Sequence, residues 1–77
     1  MHVTFYTKPG CELCDEAERM MRLAQEDFPL TWTEFDIQSD DEIHEKYMFM
    51  IPVIEKSGKA VLFGNIGYVD IIELFES

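Results

Sequence analysis

Thr4-Phe5-Tyr6-Thr7-Lys8-Pro9-Gly10-Cys11-Glu12-Leu13-Cys14 joins two periodicities within a few residues. Upstream, His2 to Thr7 alternates around Val3 and Phe5 and is rich in β-branched and aromatic types, which reads as a strand. Lys8-Pro9-Gly10 stops it. Downstream, Cys14, Ala17, Met21, Ala24 and Phe28 recur three and four apart and line one helical face. The early acids Glu12, Asp15 and Glu16 suit the positive end of a helix dipole, and Arg19 and Arg22 suit its later turns. Pro29 closes the helix.

Working outward, Leu30 to Ile37 alternates again and reads as a second strand. Ser39-Asp40-Asp41-Glu42 has the form of a capping box, with Ser39 and Glu42 expected to satisfy free N–H groups of a second helix. That helix carries Ile43 and Tyr47 and should end before Pro52. Pro52 to Lys56 and Ala60 to Phe63 read as strands around a Ser57-Gly58-Lys59 hairpin. Tyr68 to Phe75 reads as a last helix with Val69, Ile72 and Phe75 inward. The order β-α-β-α-β-β-α makes the first two strands parallel and the last two antiparallel, so the fold class is α/β with a four-stranded mixed sheet and three helices. At 77 residues the chain is expected to form one domain, spanning 1–77.

Cys11 follows a strand and a Pro-Gly turn, where the first helix begins, and Cys14 lies one turn further on. That spacing sets both sulfurs on one side of the first turn, within reach of a disulfide. Cys11 meets the unpaired N–H groups of the helix start, which favour a thiolate over a thiol. Cys14 falls on the apolar face. The asymmetry gives Cys11 the role of attacking thiol and Cys14 that of resolving thiol. Glu12, Asp15 and Glu16 oppose the helix terminus with like charge, and Lys8 is the one nearby cation in sequence. Glu12 is thus expected to make Cys11 less acidic, and the couple more reducing, than a neutral intervening pair would. The residues leave a second reading open, in which the cysteines are half of a metal site. Such a site needs four ligands, and His2 and His44 lack ligand-pair spacing. A third reading gives the cysteines no role.

Sixteen acidic residues against six basic ones give a formal charge of −10, which repels nucleic-acid phosphates and anionic lipid headgroups and attracts a basic protein. The same charge suits a soluble monomer. No apolar run approaches the length of a membrane span, and the first residues carry no secretory signal, so a cytoplasmic location is expected. That compartment keeps thiols reduced, which argues against a structural staple. His2 and His44 read as surface residues, Met20, Met21, Met48 and Met50 as core filler, and Trp32 as buried against a helix. Met48-Phe49-Met50-Ile51 is the exception, an apolar lip that would favour protein substrates over small thiols. Tyr6 and Tyr68 are candidates to line the groove.

The run from Thr4 to Cys14 resembles the start of a glutaredoxin, in which an apolar strand ends in Lys and runs into the Cys-x-x-Cys. Phe35-Asp36-Ile37 and the segment from Tyr47 through Ile51-Pro52-Val53-Ile54 extend the likeness, most of all to the short glutaredoxin-like proteins of bacteria. The resemblance implies a thioredoxin-like fold and disulfide oxidoreductase activity, with Cys11 as nucleophile and Cys14 as resolving thiol. It further implies a cis Pro52, an Ile51 backbone free to pair with an extended substrate, and Lys8 near the thiolate or a bound carboxylate. Asp70 stands where an Asp would help bind the amino group of glutathione. The chain departs from that pattern in its Glu12-Leu13 dipeptide and in Gly64-Asn65-Ile66-Gly67, which replaces paired glycines. No metal or organic cofactor is implied. The reductant would be glutathione, another small thiol or a reductase, and the substrate a disulfide-bearing protein or small thiol.

Overall fold

The protein's computed structural model describes residues 1–76. Strands β1 (His2–Thr7), β2 (Thr31–Asp36), β3 (Val53–Lys56) and β4 (Lys59–Phe63) form one sheet in the order β2-β1-β3-β4. Helices α1 (Glu12–Gln25), α2 (Asp41–Tyr47) and α3 (Tyr68–Glu76) flank it. β1 and β2 are parallel from His2↔Thr31 to Thr7↔Asp36, joined through α1, while β3 runs antiparallel to both β1 and β4. The fold class read from the sequence is the one observed.

Alternation along β1 sorts the core onto two faces. Val3 and Phe5 point to the α1/α3 side, where they pack with Ala17, Met21, Ile54 and Ile71. Tyr6 points to the α2 side, among Ile37, Tyr47 and Val53. Phe5 is fully buried, which contributes roughly 2–3 kcal/mol relative to an exposed ring. Trp32 is half-buried against the α1 side, with the Arg22 guanidinium 5.5 Å over its ring. The β3–β4 turn places Ser57 (φ 53°) and Gly58 (φ 77°) both in the left-handed region, the two-residue turn whose twist suits a hairpin. Among the described residues no helix is long and apolar enough to cross a membrane.

The structure departs from the sequence reading in several details. The expected capping box at Ser39 does not form. The Asp36 carboxylate accepts from the Gln38 N–H and the Ser39 hydroxyl donates to the Asp36 carbonyl, winding Ile37–Ser39 into a 3-10 turn. The cap therefore moves to Asp40, whose carboxylate accepts from the Ile43 N–H at 3.0 Å. In α3, Ile71 is the buried residue and Val69 is 65% exposed, although Ile72 and Phe75 do face the core. Val69, Ile71, Ile72 and Phe75 give that helix apolar residues on more than one side, so spacing alone does not select its inner face. Phe28 lies beyond the end of α1 and packs its ring against Phe75, 4.8 Å between centroids. Met21 alone of the four methionines taken as core filler is fully buried, and Met48 is exposed.

On the α2 face, one carboxylate holds two phenols. Tyr47 donates to Glu55 Oε2 at 2.6 Å and Tyr6 to Oε1 at 3.3 Å. Burial, reinforced by Glu55, pushes the Tyr47 hydroxyl up from 10 to about 12, and the same causes raise Tyr6. A folded-state pKa above the unfolded one gives stability that is complete below pH 10 and is lost as pH rises towards 12. The loss should be on the order of 2 kcal/mol. Urea unfolding between neutral pH and pH 12 should show this decline, with a shallower slope in Tyr47→Phe. An unchanged slope in that variant would contradict the assignment.

Candidate functional site

The ends of the strands gather the site. Because β1 and β2 are parallel and β3 opposes them, Thr7, Asp36, Val53 and Phe63 all lie at one edge of the sheet. The loop after β1 turns at Gly10, whose φ of +75° favours glycine, and delivers Cys11 as the N-cap of α1. Cys11 has extended backbone dihedrals (φ −98°, ψ 109°), and its Sγ accepts the Cys14 N–H at 3.1 Å. The sulfur thus takes the place of the oxygen in an ordinary N-cap, inside the positive end of the helix dipole.

Cys11 and Cys14 are joined as a disulfide, with Cα atoms 5.2 Å apart. The two sulfurs differ in access: Cys11 is half-buried, whereas Cys14 is 1% exposed in the core beside α1 and β1. Glu12 and Leu13 between them are exposed.

The segment between α2 and β3 flanks the pair. The Ile51–Pro52 bond is cis, Pro52 is buried, and Ile51 packs against both core clusters. The Ile51 N–H donates to the Tyr47 carbonyl at 3.1 Å, so the donor half of the Ile51 backbone expected to be free is already paired. The Gly64 N–H bridges the Met50 and Pro52 carbonyls at 3.0 and 2.9 Å, tying this segment to the end of β4. Asp70 folds back on its own helix, with Oδ2 accepting the Gly67 N–H at 2.8 Å as in a capping box. Tyr68 packs at the rim of the core cluster that contains the cysteines, whereas Tyr6 is buried under α2.

On the β2 side of the Cys11 loop lies a cleft of about 340 Å³, lined by Lys8 and by Asp15, Glu18, Glu34 and Asp36. Lys8 therefore faces carboxylates of its own chain. Burial and then the adjacent Glu18, which also hydrogen-bonds it, push the Glu34 carboxyl above the usual range despite the opposing Arg22. The sequence reading missed Glu18, Glu34 and Asp36 as neighbours of the site. Their signal is the in-register parallel pairing that sets Asp36 opposite Thr7. His2 sits at the opposite end of β1, its ring nitrogens 2.8 and 2.9 Å from the Thr31 and Thr33 hydroxyls. Among the described residues no three His, Cys, Asp or Glu side chains stand together as a metal-ligand group.

A β-α-β-α-β-β-α chain with a Cys-x-x-Cys disulfide opening its first helix is a thioredoxin-fold protein equipped for redox function. Residues 2–76 match the glutaredoxin-like domain family (DUF836), and the chain belongs to that family. Solved structures share its fold at low identity. A structural-genomics target protein from X. campestris is similar at 20% identity and TM-score 0.81, covering 96% of this chain and 95% of that one. Thioredoxin 1 from Thermosipho africanus is similar at 14% identity and TM-score 0.67, covering 99% and 91%. Thioredoxin from Trypanosoma brucei brucei is similar at 23% identity and TM-score 0.59, covering 99% and 75%.

The unequal burial of the sulfurs sets their order of reaction. In the reduced, folded protein iodoacetamide should label Cys11 first and reach Cys14 only slowly, as peptide mass mapping would show. Equal labelling, or Cys14 first, would contradict it.

Proposed function

We propose that the protein is a single-domain, cytoplasmic thiol–disulfide oxidoreductase serving cell redox homeostasis through the Cys11/Cys14 dithiol. The observation that supports this reading most is the Cys11 sulfur capping α1 beside a buried Cys14. The Cys11 thiolate attacks one sulfur of a substrate disulfide. The substrate S–S bond breaks, a mixed disulfide forms, and the leaving sulfur departs with the electron pair and takes a proton from water. Cys14, losing its proton, then attacks Cys11 Sγ and displaces the second substrate sulfur as a thiolate. One substrate disulfide becomes two thiols, and the protein dithiol becomes the internal disulfide.

Ile51 and cis Pro52 would hold an extended substrate beside Cys11, with Ile51 offering its carbonyl. Glu12 would hold the Cys11 pKa up, and Lys8 would offset part of the surrounding negative charge. No cofactor takes part. An external thiol or a reductase returns the disulfide to the dithiol, and glutathione is one candidate. A second reading, a monomeric reductant of one dedicated protein that works without glutathione, draws on two observations. Asp70 has one carboxylate oxygen occupied as a helix cap, and the acids around Cys11 repel an anionic tripeptide.

Turnover of a glutathionylated substrate, coupled to glutathione reductase, separates the readings in wild type, Cys11→Ser and Cys14→Ser. Activity lost with Cys11 but kept without Cys14 is the glutaredoxin-type result. No turnover from a protein that still closes its internal disulfide favours the dedicated partner. Full turnover by Cys11→Ser would contradict both.

A further inference from the structure

We propose that the sheet edge carrying the disulfide docks a basic protein segment, with Phe49 and Phe63 receiving apolar side chains of that segment. The proposal rests on the oxidoreductase reading and names the partner of that same site. Phe49, in the turn between α2 and β3, is 91% exposed, and Phe63 at the end of β4 is 60% exposed. The Gly64 N–H bonds to the Met50 and Pro52 carbonyls bring the backbone after each ring to one place. Leu13, between the cysteines, is also exposed. Phe49 contributes little to the protein's own core, and burying such a ring against a partner favours association.

Charge selects the occupant. The segments that follow β1, lead from β2 through α2 to β3, and follow β4 (8–16, 34–52 and 63–70) hold ten acidic residues and two basic ones, Lys8 and Lys46. Arg19 and Arg22 are paired along α1 with Glu16 and Glu18, and Lys56 and Lys59 lie at the far end of the β3–β4 hairpin. A second copy of this chain, a nucleic acid or an anionic membrane would each bring negative charge to a negative face. A lysine- or arginine-bearing protein segment with an apolar residue beside its cysteine matches both features of the edge.

The test uses the reduced protein and two peptides, each with one cysteine in a mixed disulfide with mercaptoethanol and a leucine beside it. One peptide has lysine flanks and the other glutamate flanks. Hydroxyethyl disulfide, small and neutral, is the reference substrate. Stopped-flow rates at low salt should favour the lysine peptide by about tenfold or more, and the preference should shrink towards unity at high salt. Phe49→Ser should lower the ratio of the lysine-peptide rate to the hydroxyethyl disulfide rate several-fold. Equal peptide rates, a salt-independent preference or an unchanged ratio in Phe49→Ser would overturn the docking proposal while leaving the redox reading intact. No reaction even with hydroxyethyl disulfide would overturn both.

Discussion

The junction between β1 and α1 is the constraint on which the rest of the molecule turns. Lys8-Pro9-Gly10 ends the strand, and the Cys11 sulfur accepts the Cys14 N–H, one of the free N–H groups of the first helical turn. With α1 started there, its apolar face lands on Val3 and Phe5 and carries Cys14 into the core. The crossover then returns β2 parallel to β1, which fixes where Glu34 and Asp36 emerge. The same backbone feature therefore starts a helix, places Cys11 and determines which charges surround it.

The two sides of the disulfide differ in character. Towards β2 lies a cleft of carboxylates with one lysine. Towards β3 and β4 lie the cis Ile51–Pro52 bond and two exposed phenylalanines. Like charge near a thiolate raises its pKa, while the helix start lowers it. Both kinds of neighbour stand within this one edge.

Much of this was legible in the sequence because the relevant signals are local. The change of period around Gly10, the paired cysteines and the hairpin at Ser57-Gly58 each depend on a few adjacent residues. The resemblance carried by the segment from Tyr47 to Ile54 put Ile51 and Pro52 beside the cysteines, and the strand order brings them to the same edge. What stayed hidden depends on register and competition. Ser39 and Asp40 are both good caps, and the 3-10 turn held by Asp36 decides between them. Val69 and Ile71 are both apolar, and tertiary packing decides which is buried. The acidic cleft needs the pairing of two strands and a helix, which no local pattern reveals. Asp70 shows the reverse case: its expected position holds a carboxylate, and local geometry turns it onto Gly67.

The central claim is that Cys11 and Cys14 form one reversible two-electron couple. Equilibration in a series of dithiothreitol redox buffers, followed by acid quench and counting of alkylated thiols by mass, measures that directly. The account predicts a single two-electron transition, with species carrying two free thiols or none and no stable intermediate. A pair that stays fully reduced or fully oxidised across the series, or cysteines that oxidise independently, would contradict it.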